Sequence, residues 1–138
     1  MNLPSMVTDN ITEILFMIIE FTHARQRILA QNIINIHLPD FMPKELEVED
    51  FSDLLNNAID EHLRSCRLVL CDTENIKFGL GGNLHIKPII DKCSKELLEE
   101  NQDEYLKLQI KKLTENSYNQ MIATELLRQK QESIINEY

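Results

Sequence analysis

Residues 94–138 read SKELLEENQDEYLKLQIKKLTENSYNQMIATELLRQKQESIINEY, and this stretch decides the fold. It contains no proline or glycine, and its apolar residues recur at three- and four-residue steps, the spacing of one face of an α-helix. A pattern this long exceeds the usual globular helix and predicts a coiled coil or an assembly helix. The residue types allow a break near Asn101-Gln102.

The predicted interface of this C-terminal helix alternates between apolar and polar stretches. Its apolar positions are Leu106, Ile110, Leu113, Leu127 and Ile134. Polar Ser117, Gln120 and Thr124 fall on the same predicted face before Leu127. Packing supplies most of the stability of a helix in a protein, and polar seam residues can fix the register of packed helices. We therefore expect this helix to require partners.

A second long helical pattern covers about residues 8–36 at the other end of the chain. Its apolar face includes the predicted interface residues Ile14, Ile18 and Leu29. Thr8 or Asp9 is the expected N-cap, since both side chains can accept a hydrogen bond from a backbone amide of the first turn. Prolines after residue 38 end the pattern, because proline lacks the amide proton of a helix.

The middle segment, residues 37–93, is less uniform. Apolar spacing from Phe51 to Leu63 predicts a short helix. The apolar run 68–71 is consistent with either a strand or a buried turn. Residues 76–78 and 84–86 flank a glycine-containing loop and predict a small hairpin or an open loop. With a length of 138 residues, the whole chain is expected to form a single domain, 1–138.

Composition excludes several classes of protein. Hydrophobic residues make up 43% and charged residues 27%, which is typical of a globular chain and not of a disordered one. The 3 glycines and 4 prolines are too few for an all-β fold rich in turns. A net charge of -9 disfavours a nucleic-acid partner. The longest apolar run, Ile14–Ile19, is too short for membrane insertion, and we expect no cleaved signal peptide.

No pattern of catalytic or cofactor-binding residues stands out. The loop 79–83 lacks the Lys-Ser/Thr that follows a phosphate-binding loop. His62 and Cys66 lie one helical turn apart, but zinc sites usually show closely spaced ligand pairs. The cysteines, Cys66, Cys71 and Cys93, are expected to be buried or half-buried free thiols. We therefore predict no enzymatic activity, no metal and no cofactor.

The end of the N-terminal helix carries the most informative segment, QNIINIHLPDF, residues 31–41. Asn32 and Asn35 lie three residues apart on one helix face, and asparagine can bond backbone groups at a helix terminus. Pro39 then turns the chain and Phe41 supplies an aromatic side chain. The residue types fit either a simple helix stop or a turn built for packing against a neighbour.

This segment resembles the flagellar basal-body rod proteins, and most closely their proximal rod type. The family's N-terminal helix ends in Asn-Ile-Ala-Asn, two further residues and Thr-Pro-Gly-Tyr. The matching residues are Asn32, Ile33, Asn35 and Pro39, and Phe41 stands where the family has tyrosine. Asp40 stands where the family has glycine, and aspartate tolerates left-handed backbone better than most residues. Residues 24–30 and 112–127 are also similar to the family.

The resemblance implies a structural role. In rod proteins the two terminal helices pair as a coiled coil, expected here to be antiparallel, and many copies form a helical tube across the periplasm. Such a tube transmits torque and surrounds the export channel. The implied partners are other copies of this chain, other rod and basal-body proteins, and the flagellar type III export apparatus, which uses no cleaved signal.

Two other functional classes remain open from the residues alone. A cytoplasmic helical adaptor or export chaperone would also have acidic charge and amphipathic helices. A small metal-dependent enzyme would use His62 and the cysteines.

Overall fold

The computed structural model describes residues 9–79 and 83–136, with side chains described through residue 133. This part of the chain is mainly helical, as predicted. Its helices are α1 (Asn10–Ile34), α2 (Val48–Ser65), α3 (Lys92–Glu100) and α4 (Gln102–Asn136). Among the described residues, no helix is long and apolar enough to cross a membrane.

Four short strands accompany the helices. They are β1 (Lys44–Glu45), β2 (Ile76–Phe78), β3 (Leu84–Ile86) and β4 (Ile89–Ile90). β2 and β3 form the predicted antiparallel hairpin, with Lys77 opposite His85. β1 pairs with β4 in a second antiparallel ladder that joins distant parts of the chain and that the sequence did not indicate. Residues 68–71 belong to no strand, and residues 80–82 of the glycine loop lie outside the described residues.

Capping side chains fix the helix boundaries. Asp9 is the N-cap of α1, since its Oδ1 accepts a hydrogen bond from the Thr12 amide at 2.8 Å. The predicted break in the C-terminal helix is confirmed at Asn101, whose extended backbone separates α3 from α4. Its Oδ1 accepts from the Glu104 amide at 3.2 Å and so caps the start of α4.

α1 is the central element, because it packs against α2 on one side and against α4 on another. Contacts with α4 run from Asp9 with Lys130 at 2.7 Å to Asn32 with Gln109 at 2.9 Å. At the start of α1, Asn10 contacts His62 near the end of α2 at 3.0 Å. α4 therefore finds a partner for its buried face within the same chain.

The main core lies between α1, α2 and the hairpin. Its centre is a stacked aromatic pair, Phe21 of α1 and Phe51 of α2, with ring centroids 4.0 Å apart. A smaller cluster joins Leu15 of α1 to Ala123 and Leu127 of α4. The two clusters use different sides of α1, which explains why α1 has a broad apolar surface.

Substitution of Phe51 by alanine is expected to lower the free energy of unfolding by about 3–5 kcal/mol, because it leaves a cavity beside Phe21. The matched control is Phe16→Ala, since Phe16 of α1 is 47% exposed. That change should cost at most about 1 kcal/mol. Urea unfolding followed by circular dichroism measures both; equal losses would contradict the assignment of the core.

Candidate functional site

The motif at the end of α1, residues 32–41, contains one fully buried polar side chain, that of Asn32, which is 1% exposed. Its Oδ1 accepts a hydrogen bond from the Lys44 amide at 3.0 Å, and its Nδ2 donates to the Lys44 carbonyl at 2.8 Å. The second Nδ2 proton is donated to Gln109 Oε1 at 2.9 Å. One amide side chain thus ties the end of α1 to β1 and to α4.

Tyr105 of α4 makes a second contact at the same point. Its hydroxyl donates to the Asn32 carbonyl at 2.7 Å. Carbonyls in the last turn of a helix lack intrahelical partners, so this bond satisfies a buried acceptor. Burial of the ring, with a smaller contribution from the Asp91 carboxylate, raises the pKa of Tyr105 to about 12. The phenol therefore stays a hydrogen-bond donor at physiological pH.

The hydrogen bonds continue from Gln109 to the start of α3. Gln109 Nε2 donates to Ser94 Oγ at 2.9 Å, and Ser94 Oγ donates to Asp91 Oδ2 at 2.6 Å. Asp91 is also the N-cap of α3, because its Oδ1 accepts from the Ser94 amide at 3.1 Å. Ser94 and Gln109 are each 0% exposed.

A chain of ion pairs completes the arrangement. Lys112 Nζ lies 2.8 Å from Asp91 Oδ2 and 3.5 Å from Glu45 Oε2. The Arg25 guanidinium donates two hydrogen bonds of 3.0 Å to the two oxygens of Glu45. Burial acts to raise the pKa of Asp91, but Lys112 and the Ser94 hydrogen bonds outweigh it and hold that pKa below its usual value.

We call these linked side chains the Asn32 network. Its members are Arg25, Asn32, Glu45, Asp91, Ser94, Tyr105, Gln109 and Lys112. The network joins α1, β1, α3 and α4, and a buried network of this kind costs stability wherever one member loses its partner. Its role is to position elements of the fold, since Asn32, Tyr105, Gln109 and Lys112 all bond to groups on other elements, while Ser94 and Asp91 also bond to each other at the start of α3.

The predicted interface of α4 coincides only in part with the face that packs against α1: Leu127 is buried there, whereas the other described positions are more exposed. Ile110 is 53% exposed, and Leu106 and Leu113 are only half-buried. Ser117 and Thr124 are exposed. The residues of α4 that are buried are Tyr105, Gln109, Asn116, Ala123 and Leu127. The apolar pattern misled because two of these five side chains, Gln109 and Asn116, are polar and find their partners only in the folded chain.

Asn116 shows how such a polar residue is accommodated. It is 1% exposed, and its Nδ2 donates to the Thr22 carbonyl of α1 at 2.7 Å. Thr22 Oγ1 donates back to the Ile18 and Ile19 carbonyls, which is a common arrangement for threonine inside a helix. Gln109 and Asn116 lie seven residues apart, but so do the exposed Glu104 and Lys111, so polar residues at heptad spacing do not by themselves identify the buried face.

The other predicted interface residues have mixed outcomes. Leu127 is 8% exposed and Leu29 is 0% exposed, as expected of packed positions. Ile18 is half-buried. Ile14 is buried, but in the core cluster around Phe51 and not in the cluster with α4, where the neighbouring Leu15 lies instead. The side chain of Ile134 lies outside the described side chains.

The remaining motif residues form the turn after α1. Asn35 is the C-cap, and its amide donates to the Gln31 carbonyl at 2.9 Å. Asp40 has a left-handed backbone with φ 58°. Ile33 and Phe41 are half-buried and Pro39 is exposed. Only Asn32 among the motif residues therefore enters the network, and the others shape the turn.

The candidate metal residues do not form a site. Within residues 9–79 and 83–136, no group of three or more His, Cys, Asp or Glu side chains is placed to hold a metal ion. His62 Nδ1 lies 3.0 Å from the Asn10 amide nitrogen instead. The expectation of buried thiols is wrong, since Cys66, Cys71 and Cys93 are all exposed. Each lies where the chain leaves the core: at the end of α2, in irregular chain, and in the first turn of α3.

Gln109→Met is expected to lower the free energy of unfolding by about 1–3 kcal/mol, because it leaves polar groups of Asn32 and Ser94 buried without partners. The matched control is Ile110→Met, which changes an exposed position by the same new side chain and should stay within about 0.5 kcal/mol. Denaturant midpoints compare the two variants. A larger loss of unfolding free energy for Ile110→Met than for Gln109→Met would indicate that α4 packs through the predicted apolar face that includes Ile110.

Acidification should weaken the fold through Asp91. Because the folded-state pKa is lowered, the contribution of this carboxylate is complete above its unfolded pKa of about 3.9 and is lost as the pH falls through the folded value. Asp91→Asn should therefore be less stable than the native chain at pH 6, and the difference should shrink below pH 4. Urea titrations at a series of pH values measure it; a constant difference would contradict the assignment.

In comparison with known proteins, no family model, no curated protein and no solved structure matches this chain. The geometry of the Asn32 network and of the turn beside it is therefore the basis for any functional assignment.

Proposed function

We propose that this chain is a structural subunit of the bacterial flagellar basal-body rod, of the proximal type. It assembles with copies of itself and with other rod and basal-body proteins into a helical axial tube in the periplasm, after passage through the flagellar export apparatus. The observation that carries the proposal is the position of Asn32. The first asparagine of the rod-type motif is the residue that joins α1 to β1 and α4.

The turn after α1 gives independent support. The rod family carries glycine where this chain has Asp40, and Asp40 has φ 58°, in the left-handed region that favours glycine. Aspartate is among the few other residues that adopt this conformation readily. Asp40 therefore has the left-handed backbone conformation for which the glycine of the family's motif is suited.

The pairing of the terminal helices is also proposed to follow the rod type. Thr22 of α1 contacts Asn116 of α4, between the outer contacts Asp9–Lys130 and Asn32–Gln109. Residue numbers rise along α1 as they fall along α4, which is the order of contacts in an antiparallel pair. We propose that the pair forms an antiparallel coiled coil whose buried polar residues fix its register.

The assembly face is proposed to surround the turn after α1. Exposed apolar side chains cluster in sequence here: Ile34 is 75% exposed, Leu38 is 57% exposed and Met42 is 43% exposed. Ile90 of β4, 46% exposed, lies opposite Lys44, only two residues from Met42. We propose that these side chains form one contiguous patch, since contiguous exposed apolar surface marks protein–protein contacts. Head-to-tail contact between this face and a different, complementary face of the next subunit generates an open helical assembly.

The double substitution Ile34→Gln and Leu38→Gln is expected to abolish rod assembly and motility while leaving the midpoint of urea unfolding almost unchanged, since both side chains are exposed. The matched control is Leu63→Gln, because Leu63 is 77% exposed near the far end of α2. Swimming assays and isolated basal bodies from complemented cells provide the readout. Normal motility of the double variant would show that the turn after α1 is not part of the assembly face.

Deletion of the gene in the native organism tests the function itself. Basal bodies that keep the inner ring and lack the rod support the proposal. Complete rods in the deletion strain would contradict it, and loss of export with the rod subunits retained in the cytoplasm would indicate the helical adaptor or export chaperone instead.

A further inference from the structure

A pocket of about 410 Å³ lies where α1 meets the β2–β3 hairpin. From α1 it is lined by Glu20, Ala24 and Arg27, which are spaced four and three residues apart on one face of the helix. The lining from the hairpin includes Lys77 of β2 and His85 of β3. Its volume lies within the range of small-molecule sites, about 300–1,000 Å³.

Basic side chains occupy one face of the hairpin at this pocket. Lys77 lies directly opposite His85 in the antiparallel ladder, and Lys87 follows His85 by two residues, which places it on the same face. The Lys87 amide donates to the Asn75 carbonyl at 2.8 Å, so the pairing of the two chain segments continues as far as Lys87. All three basic side chains are exposed and line the pocket.

The cations of the pocket have no ion-pair partner among the described residues. Within that part of the chain, no carboxylate oxygen lies within 4.0 Å of a side-chain nitrogen of Arg27, Lys77 or Lys87. By contrast, Arg25 on another side of α1 is held by Glu45 at 3.0 Å. In a chain with a net charge of -9, three unpaired cations in one pocket can be neutralised by an anion from outside the chain.

Two carboxylates also line the pocket, and neither pairs with these cations. Glu20 lies seven residues before Arg27 on α1, which is about 10 Å along the helix axis at 1.5 Å per residue. Glu74 is exposed and forms no ion pair with a described residue. The lining therefore carries three positive and two negative charges, and His85 adds a further hydrogen-bond donor.

The register of the hairpin places basic groups side by side. Directly opposite residues of an antiparallel ladder have Cβ atoms about 4.5–5.5 Å apart, and diagonal neighbours lie about 7–8 Å apart. Lys77 thus has His85 opposite it and Lys87 as its diagonal neighbour. Like charges in such positions destabilise a sheet. An anion that contacts these side chains together would remove the repulsion.

We propose that this pocket binds a phosphate group carried by a small molecule. A phosphate group carries a charge of about −1.5 to −2 and three strong acceptor oxygens, so it can bond donors from several elements at once. The Arg27 guanidinium offers parallel N–H donors, and Lys77 and Lys87 offer compact charges. The ring of His85 has an N–H donor in either protonation state. The proposal does not depend on the rod assignment, because it rests on the pocket alone.

The probe is inorganic pyrophosphate, titrated into the full chain and followed by NMR of the backbone amides. Sodium chloride at matched ionic strength is the control for screening. We expect saturable shifts in residues 75–77 and 85–87 with pyrophosphate and none with chloride. A ligand that binds only the folded state stabilises it, so pyrophosphate should also raise the midpoint of urea unfolding.

Vesicles distinguish the two sources of such a phosphate group. Cosedimentation with vesicles that contain phosphatidic acid, but not with neutral vesicles, would assign the phosphate to a lipid headgroup if Lys77→Gln abolishes it. Binding of pyrophosphate without cosedimentation would assign it to a soluble molecule. Both results support the phosphate site.

Variants of the chain separate the pocket from general attraction to lysines. Lys77→Gln should weaken pyrophosphate binding by about tenfold, the usual effect of losing one charge-assisted hydrogen bond. The matched control is Lys111→Gln, which removes the same charge from an exposed lysine of α4 that does not line the pocket. Glu20→Gln should strengthen binding, because it removes a negative charge from the lining. Circular dichroism checks that each variant is folded.

Three results would overturn the proposal. The first is the absence of a saturable shift beyond that caused by chloride. The second is equal weakening by Lys77→Gln and Lys111→Gln, which would indicate attraction without the pocket. The third is a hexaglutamate peptide that binds more tightly than pyrophosphate at the same ionic strength and shifts the same amides, which would make an acidic protein segment the ligand.

Discussion

The structure depends on one side-chain amide, that of Asn32, which bonds both backbone groups of Lys44. β1 is only two residues long and has β4 as its partner on one side. Asn32 takes the position of a neighbouring strand on the other side, because an amide offers a donor and an acceptor as a peptide group does. These two hydrogen bonds hold Lys44 against the end of α1, although the chain leaves α1 only twelve residues earlier, near Asn32.

The same amide also determines how α4 lies on α1. The second Nδ2 proton of Asn32 is donated to Gln109, and the Tyr105 hydroxyl donates to the Asn32 carbonyl. Residues from two successive turns of α4 are therefore held by one residue of α1. An apolar seam tolerates sliding by a turn, since one leucine packs much as another does, whereas a buried hydrogen bond has one satisfied register. We therefore attribute the register of the terminal helices to polar contacts and their affinity to Leu15, Ala123 and Leu127.

Stability and interaction use different sides of α1. One side packs against α2 around the stacked pair Phe21–Phe51, and another packs against α4. The exposed apolar residue Ile34 lies at the end of the helix, and Leu38 follows it in the turn. Apolar surface that does not pack within the chain is thus left at the end of α1, where the proposed assembly face lies.

Local residue patterns were enough to predict α1, α2 and a break near Asn101, because each depends on neighbours within a few positions. The same patterns left the N-cap of α1 open between Thr8 and Asp9, and residues 76–86 open between a hairpin and an open loop. They also pointed to Asn32. Folding alone decided that β1 pairs with β4, that the cysteines are exposed, and that α4 presents Tyr105, Gln109 and Asn116 to α1 rather than Ile110. The reason is physical: a polar residue can be buried only when a distant partner satisfies it, and periodicity along one helix carries no information about that partner.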